Sequence, residues 1–160
     1  MQRTFLSVNK SARYSLYWLL PILAISFNSF GQNPAEFSGK WIFNNGKSSS
    51  IYAGMASVMV LTQTGDEINI EITQVQGDTE PTSLSEKYII GTTLKVKNTT
   101  ITTSWTEDKQ SFSILEVKGD ARVLKVYSLN EGGKTLEVKS DENLPAGFIR
   151  HTVMIYNKAL

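Results

Sequence analysis

His151 is the chain's one histidine, and cysteine is absent, so the residue types that most often build metal centres and nucleophilic sites are nearly missing. A zinc or nucleophile site based on imidazole needs companions for that histidine. Without thiols there is no thiolate nucleophile, redox pair or soft-metal site. His151 therefore reads as a structural or surface residue. Serines are plentiful, yet none stands in a Gly-x-Ser-x-Gly context, the strained turn that presents a serine nucleophile.

Carboxylates remain. Glu107 with Asp108, and Asp141 with Glu142, are adjacent acids in turn-like settings, suited in principle to a glycosidase pair or to calcium. Neighbouring carboxylates on a loop or strand usually diverge, however, and neither pair lies in the glycine-containing acidic loop of an EF-hand. They read as solvated loop charge. A carboxylate enzyme would need two acids distant in sequence to converge in one cleft. The expectation is a noncatalytic protein with no cofactor and no metal.

The elements that would position a site follow a distinctive N-terminus. Arg3, Lys10 and Arg13 stand there without an acid, and Leu16 to Phe27 is a nearly unbroken apolar run, the order of a helical signal peptide. A spanning helix needs about 20 apolar residues, whereas this run is shorter and contains Pro21. Ser29 and Gly31 offer small residues for cleavage after Gly31. The pattern predicts a signal peptide over 1–31 and one domain over 32–160, hence a periplasmic or secreted protein with no stable membrane insertion after cleavage. Taking 31 residues from 160 leaves 129, enough for one domain whose core does without disulfides. With 13 Lys and Arg against 15 Asp and Glu, that part carries a net charge of −2. Such a balance offers no footprint for nucleic acid and no polybasic lipid patch.

The domain reads as short extended runs cut by turn residues. Ile68, Ile70 and Ile72 alternate with Asn69, Glu71 and Thr73, the period of a strand with one buried face. Ser57 to Gln63 precedes them across Thr64-Gly65-Asp66, a hairpin signal. The same pattern recurs at Phe112 to Lys118 and Arg122 to Leu129 around Gly119-Asp120, then across Asn130-Glu131-Gly132-Gly133 into Lys134 to Lys139. With Lys40 to Asn44, Glu86 to Ile90, Thr93 to Lys97, Thr99 to Thr106 and Phe148 to Asn157, the total is about eight to ten strands. The predicted fold is all-β, a single antiparallel up-and-down β-barrel, with one helical turn near Ser50 to Met55.

Phe37-Ser38-Gly39-Lys40-Trp41 resembles the Gly-x-Trp signature that opens the first strand of lipocalins, and it stands just after the cleavage region. The segments Leu61 to Asp66, Tyr127 to Leu136 and Val153 to Lys158 are similar to those of lipocalin-like small exported proteins of Gram-negative bacteria, Bacteroidota among them, mostly of unassigned function. The resemblance covers the whole domain and implies a lipocalin-like barrel with Gly39 and Trp41 as its structural motif. It further implies a basic side chain of the last strand stacked on the tryptophan, a role it carries to Arg150. The chain departs from lipocalins in being shorter and in lacking their C-terminal helix pattern and Thr-Asp-Tyr segment.

A curled sheet of this size holds either packed side chains or one small ligand. Val58 and Val60 against Met59 and Leu61 make a strand apolar on both faces. That fits a ligand lumen, and it equally fits an outer face covered by a loop, helix or partner. Met59, Leu61, Ile70, Tyr88, Trp105, Tyr127 and Tyr156 are the candidate ligand-binding residues, since apolar side chains with phenols and an indole combine burial with directed hydrogen bonds. Lys95 and Lys97, alternating with Leu94 and Val96, read as solubilising charge on an exposed face. The expected function is noncatalytic binding of a small apolar or amphipathic molecule. The alternative is a module that binds an envelope protein or polysaccharide through its outer surface.

Overall fold

The computed structural model describes residues 33–144 and 147–160; the expected signal segment lies outside them. The isoleucine alternation becomes β3 (Glu67–Gln76), which pairs along its whole length with β2 (Met55–Thr64). Reversal within two residues requires left-handed backbone, which Gly65 supplies at φ +63°. β1 (Gly39–Phe43), β4 (Thr82–Ile89), β5 (Thr93–Val96), β6 (Thr99–Trp105), β7 (Ser111–Lys118), β8 (Ala121–Asn130), β9 (Thr135–Asn143) and β10 (Ile149–Lys158) join them. Together they form one antiparallel sheet of ten strands, in the order β4-β3-β2-β1-β10-β9-β8-β7-β6-β5. The sheet curls into a half-barrel whose edges are β4 and β5, in agreement with the all-β, up-and-down architecture read from the sequence.

Several strands run beyond their sequence signal, β4 and β9 the furthest. β4 begins at Thr82 rather than Glu86, and β9 continues through Ser140-Asp141-Glu142 to Asn143. Neither extension has the apolar alternation of a half-buried strand. Pairing supplies what propensity does not: Asn143 lies opposite Ile149, and Glu142 is flanked by Val123 on β8 and Arg150 on β10. Asp141 and Glu142 are thus strand residues rather than turn residues. They point to opposite faces, Asp141 toward His151 Nδ1 at 2.7 Å and Glu142 toward Arg150.

A one-residue extension, β10 to Lys158, corrects the role given to Arg150. Trp41 lies opposite Lys158 in the β1–β10 pairing, and the Lys158 ammonium sits 5.2 Å from the centre of the indole. Arg150 is eight residues away along the strand, about 26 Å at 3.3 Å per residue, and pairs with Glu142. Gly39 makes the stacking possible. Its φ is +148°, and a Cβ there would come within 2.9 Å of Lys158 Cε. The Gly-x-Trp motif is therefore a seat for the lysine as well as the start of a strand.

Between β1 and β2 the chain makes two short 3-10 turns, Asn45–Lys47 and Ser50–Tyr52, the second being the turn expected near Ser50 to Met55. They stay on the sheet because hydroxyls continue its ladder: Ser48 and Ser49 Oγ accept from Ile155 N at 2.9 Å and Val153 N at 2.8 Å.

Candidate functional site

Alternation along the strands assigns an inner face, and burial on that face falls steadily from one end of the half-barrel to the other. On β3 it passes from Ile68 and Ile70, both fully buried, through half-buried Ile72 to exposed Gln74 and Gln76. On β4 it passes from Ile90, just past the strand, and Tyr88 through half-buried Glu86 to Leu84, 51 % exposed. On β7 it passes from Phe112 and Ile114 to half-buried Glu116 and exposed Lys118. One end is closed and the other open.

The closed end is plugged by the segment before β1. Ala35 N donates to Lys109 O at 2.9 Å and Phe37 N to Gln63 Oε1 at 2.9 Å, which lays Phe37 against Phe112, with ring centres 4.8 Å apart and edge to face. The Trp41 indole donates to Phe37 O at 3.1 Å, so the polar atom of a fully buried ring is satisfied. Trp105 packs on the same aromatic group and donates to Asp66 Oδ1 at 2.8 Å. Thr103 of β6 clasps the end of β4 here, its buried hydroxyl donating to Ile89 O at 2.7 Å while Gly91 N donates to Thr103 O at 3.0 Å.

All seven candidate binding residues lie on the inner face or packed against its core. Met59, Leu61, Ile70, Tyr88, Tyr127 and Tyr156 belong to one buried cluster, in which Tyr127 stacks on Phe112 with ring centres 4.6 Å apart, and half-buried Trp105 packs against it. Burial, above all, raises the ionisation of these three phenols above the ordinary tyrosine range. The Tyr88 hydroxyl also donates to Glu86 Oε2 at 2.7 Å, and the charges of Glu86 and Glu116 push Tyr88 and Tyr127 further in the same direction.

The open half holds residues that the sequence reading did not nominate. Leu94 and Val96 share the inner face with Ile101, which Leu94 pairs across β5–β6, yet they are 58 % and 46 % exposed. Ile72 and Leu84 line a recess of about 200 Å³, and Met55 and Gln76 line one of about 250 Å³. The two share Gln74 and Thr82, so they adjoin at the β2–β3–β4 side of the mouth. Among them stand Glu86, Glu116 with Lys125 at 3.8 Å, and Glu142 with Arg150. Strand parity was the signal for these residues: continuing 68, 70, 72 and 84, 86, 88 on one face finds them.

Of the residues weighed for chemistry, Glu142 faces the open half and its neighbour Asp141 the outer face. His151 is exposed on the outer face. Asp108 accepts from Thr106 Oγ1 and Gln110 N within the β6–β7 loop, and these bonds lower its ionisation. Among the described residues no group of three or more His, Asp or Glu side chains is placed to hold a metal ion.

No family model matches the chain, and no curated protein matches it in sequence. Solved structures do match in fold. A fatty acid binding protein of Schistosoma mansoni in complex with arachidonic acid is 14 % identical, with 81 % of this chain and 100 % of that one covered and a TM-score of 0.57. Secretory abundant heat soluble protein 4 of Ramazzottius varieornatus is 12 % identical over 81 % and 100 % of the two chains, with a TM-score of 0.56. Human cRBP IV is 12 % identical over 79 % and 100 %, with a TM-score of 0.55. At these identities the likeness concerns backbone architecture, and it makes the fold lipocalin-like, of the fatty-acid-binding-protein type.

Proposed function

We propose that this chain is a noncatalytic exported binding protein whose open half-barrel takes up a small apolar or amphipathic molecule. The observation that carries the reading is the set of inward apolar side chains left uncovered at one end: Leu84, Leu94 and Val96, each about half exposed, beside half-buried Ile72 and Ile101. Soluble proteins expose scattered apolar residues routinely, but these share one concave face above a closed aromatic floor, the form of a ligand pocket. Fold neighbours that include a fatty acid binding protein in complex with arachidonic acid support it. A neutral solvatochromic dye titrated into the protein tests it. Saturable one-site binding with a blue-shifted emission is expected, and a linear, unsaturable response would overturn the reading.

Export rests on the basic N-terminus, the apolar run from Leu16 to Phe27 and the resemblance to exported Bacteroidota proteins. A product recovered from the periplasm or medium with Gln32 at its N-terminus is the expected result; a full-length product retained inside the cell would contradict it. A second reading, docking of an envelope protein or polysaccharide on the outer surface, draws on exposed Ile149 beside a shallow recess lined by Arg122, Leu124, Asp141 and Asn143. Loss of partner cross-linking on Ile149→Asp, with dye binding retained, would favour it.

A further inference from the structure

Lys95 and Lys97, read from the sequence as solubilising charge, stand on the lip of the open chamber together with Lys118 and Arg122. The strand register sets two adjacent rows around that lip. Lys95, Thr100, Val117 and Arg122 make one row on the outer side, and Val96, Thr99, Lys118 and Ala121 make the next on the inner side. Lys97 sits just above them in the β5–β6 turn. All four cations are exposed, and among the described residues none lies within ion-pair distance of a carboxylate. Asp120 is the one acid of the β5–β6 and β7–β8 turns, whereas the β3–β4 turn, at the other end of the sheet order, carries Asp78 and Glu80. The slightly acidic balance of the domain thus hides a separation of charge at its open end.

A second, independent feature of the same lip is apolar. Phe148, just before β10, is 70 % exposed, more than any other described large apolar side chain except the terminal Leu160. Leu144 N donates to Phe148 O at 2.7 Å, which closes the β9–β10 turn and holds the backbone that presents the ring. Ile149, the next residue, lines one recess with Arg122, so the aromatic turn adjoins the cationic rows. From β5 to β10 the lip crosses five strand spacings, about 24 Å along its arc at about 4.8 Å each.

We infer that this lip docks on an anionic lipid surface, with the Phe148 ring among the head groups and Lys95, Lys97, Lys118 and Arg122 on lipid phosphates. An apolar ring gains by entering the boundary between head groups and acyl chains. Each lysine or arginine brought to an anionic surface strengthens binding about 5-fold. A protein partner fits less well, because a stable protein interface needs about 800 Å² on each side and the lip is a line of turn tips. The inference goes beyond ligand binding and does not depend on it.

The chain has no cysteine, so Phe148→Cys and, in the β8–β9 turn at the closed end, Lys134→Cys each take a single environment-sensitive thiol fluorophore. Both labelled proteins are titrated with vesicles of phosphatidylcholine alone and of phosphatidylcholine mixed with phosphatidylglycerol. On the mixed vesicles the fluorophore at position 148 should shift to the blue, at a lipid concentration about 10-fold or more below that needed on the neutral ones, while the one at position 134 does not shift. Adding Lys95→Glu/Lys118→Glu to Phe148→Cys should raise the required lipid concentration at least about 10-fold. No shift at position 148, an equal shift at both positions, an equal response to neutral vesicles, or a shift that survives the charge reversal overturns the inference. Should the charge-reversed protein misfold by circular dichroism, positions 148 and 134 decide between them. Ligand binding is read separately by the dye, so failure here leaves the binding reading standing.

Discussion

The two ends of the half-barrel are built from the same strands and the same ladder, yet one is packed solid and the other is uncovered. The difference lies outside the strands. At the closed end the 33–38 segment lays Phe37 and the Trp41–Phe37 bond across the inner face, and Thr103 ties the end of β4 to β6. At the open end the edges β4 and β5 carry inward Leu84 and Leu94 with no covering element among the described residues. Curling a sheet creates an inside, but a crossing segment decides which part of that inside becomes core.

That contrast can be broken most directly through stability. Trp41→Ala removes a fully buried indole from the floor and should cost about 3–5 kcal/mol in urea unfolding. Leu94→Ala should change stability by no more than about 0.5 kcal/mol. Equal losses would abolish the distinction between floor and chamber.

Alkaline pH sharpens it. Tyr88, Tyr127 and Tyr156 are held neutral in the native protein chiefly by burial, so their native ionisation lies above the ordinary value of about 10. Their contribution is complete below that pH. It is lost as pH rises beyond it, because the unfolded chain releases protons that the native state retains. The urea midpoint should therefore hold steady up to pH about 10 and then fall, and Tyr88→Phe should flatten part of the fall. A midpoint independent of alkaline pH would place these phenols in solvent.

The smallest effect separates the two basic residues of β10. Lys158→Ala should cost about 0.5–1 kcal/mol, the worth of an exposed cation over an indole, and should alter Trp41 fluorescence. Arg150→Ala, breaking a part-exposed pair with Glu142, should leave that fluorescence unchanged and cost about 0–1 kcal/mol. The reverse pattern would restore Arg150 to the tryptophan.

Much of the fold was legible because alternation and glycine positions are local. Ile68, Ile70 and Ile72 declared a strand, and Gly65 and Gly119 declared reversals that both use positive φ. The inward parity of the candidate binding residues was legible for the same reason. Their depth was not, since depth is set by which end the 33–38 segment crosses. Thr82 to Ser85 and Ser140 to Asn143 escaped notice because strand residues near an open mouth need no apolar alternation. Missing one residue at the end of β10 hid Lys158, and with it the partner of Trp41.

The account turns on the uncovered apolar face being where a ligand sits. The direct measurement is dye titration of Leu84→Glu/Leu94→Glu beside the wild type, with urea unfolding of both. The account predicts saturable binding by the wild type, at least about 10-fold weaker binding by the variant, a difference of about 1.4 kcal/mol, and matching unfolding midpoints. Undiminished binding by a folded variant would contradict it.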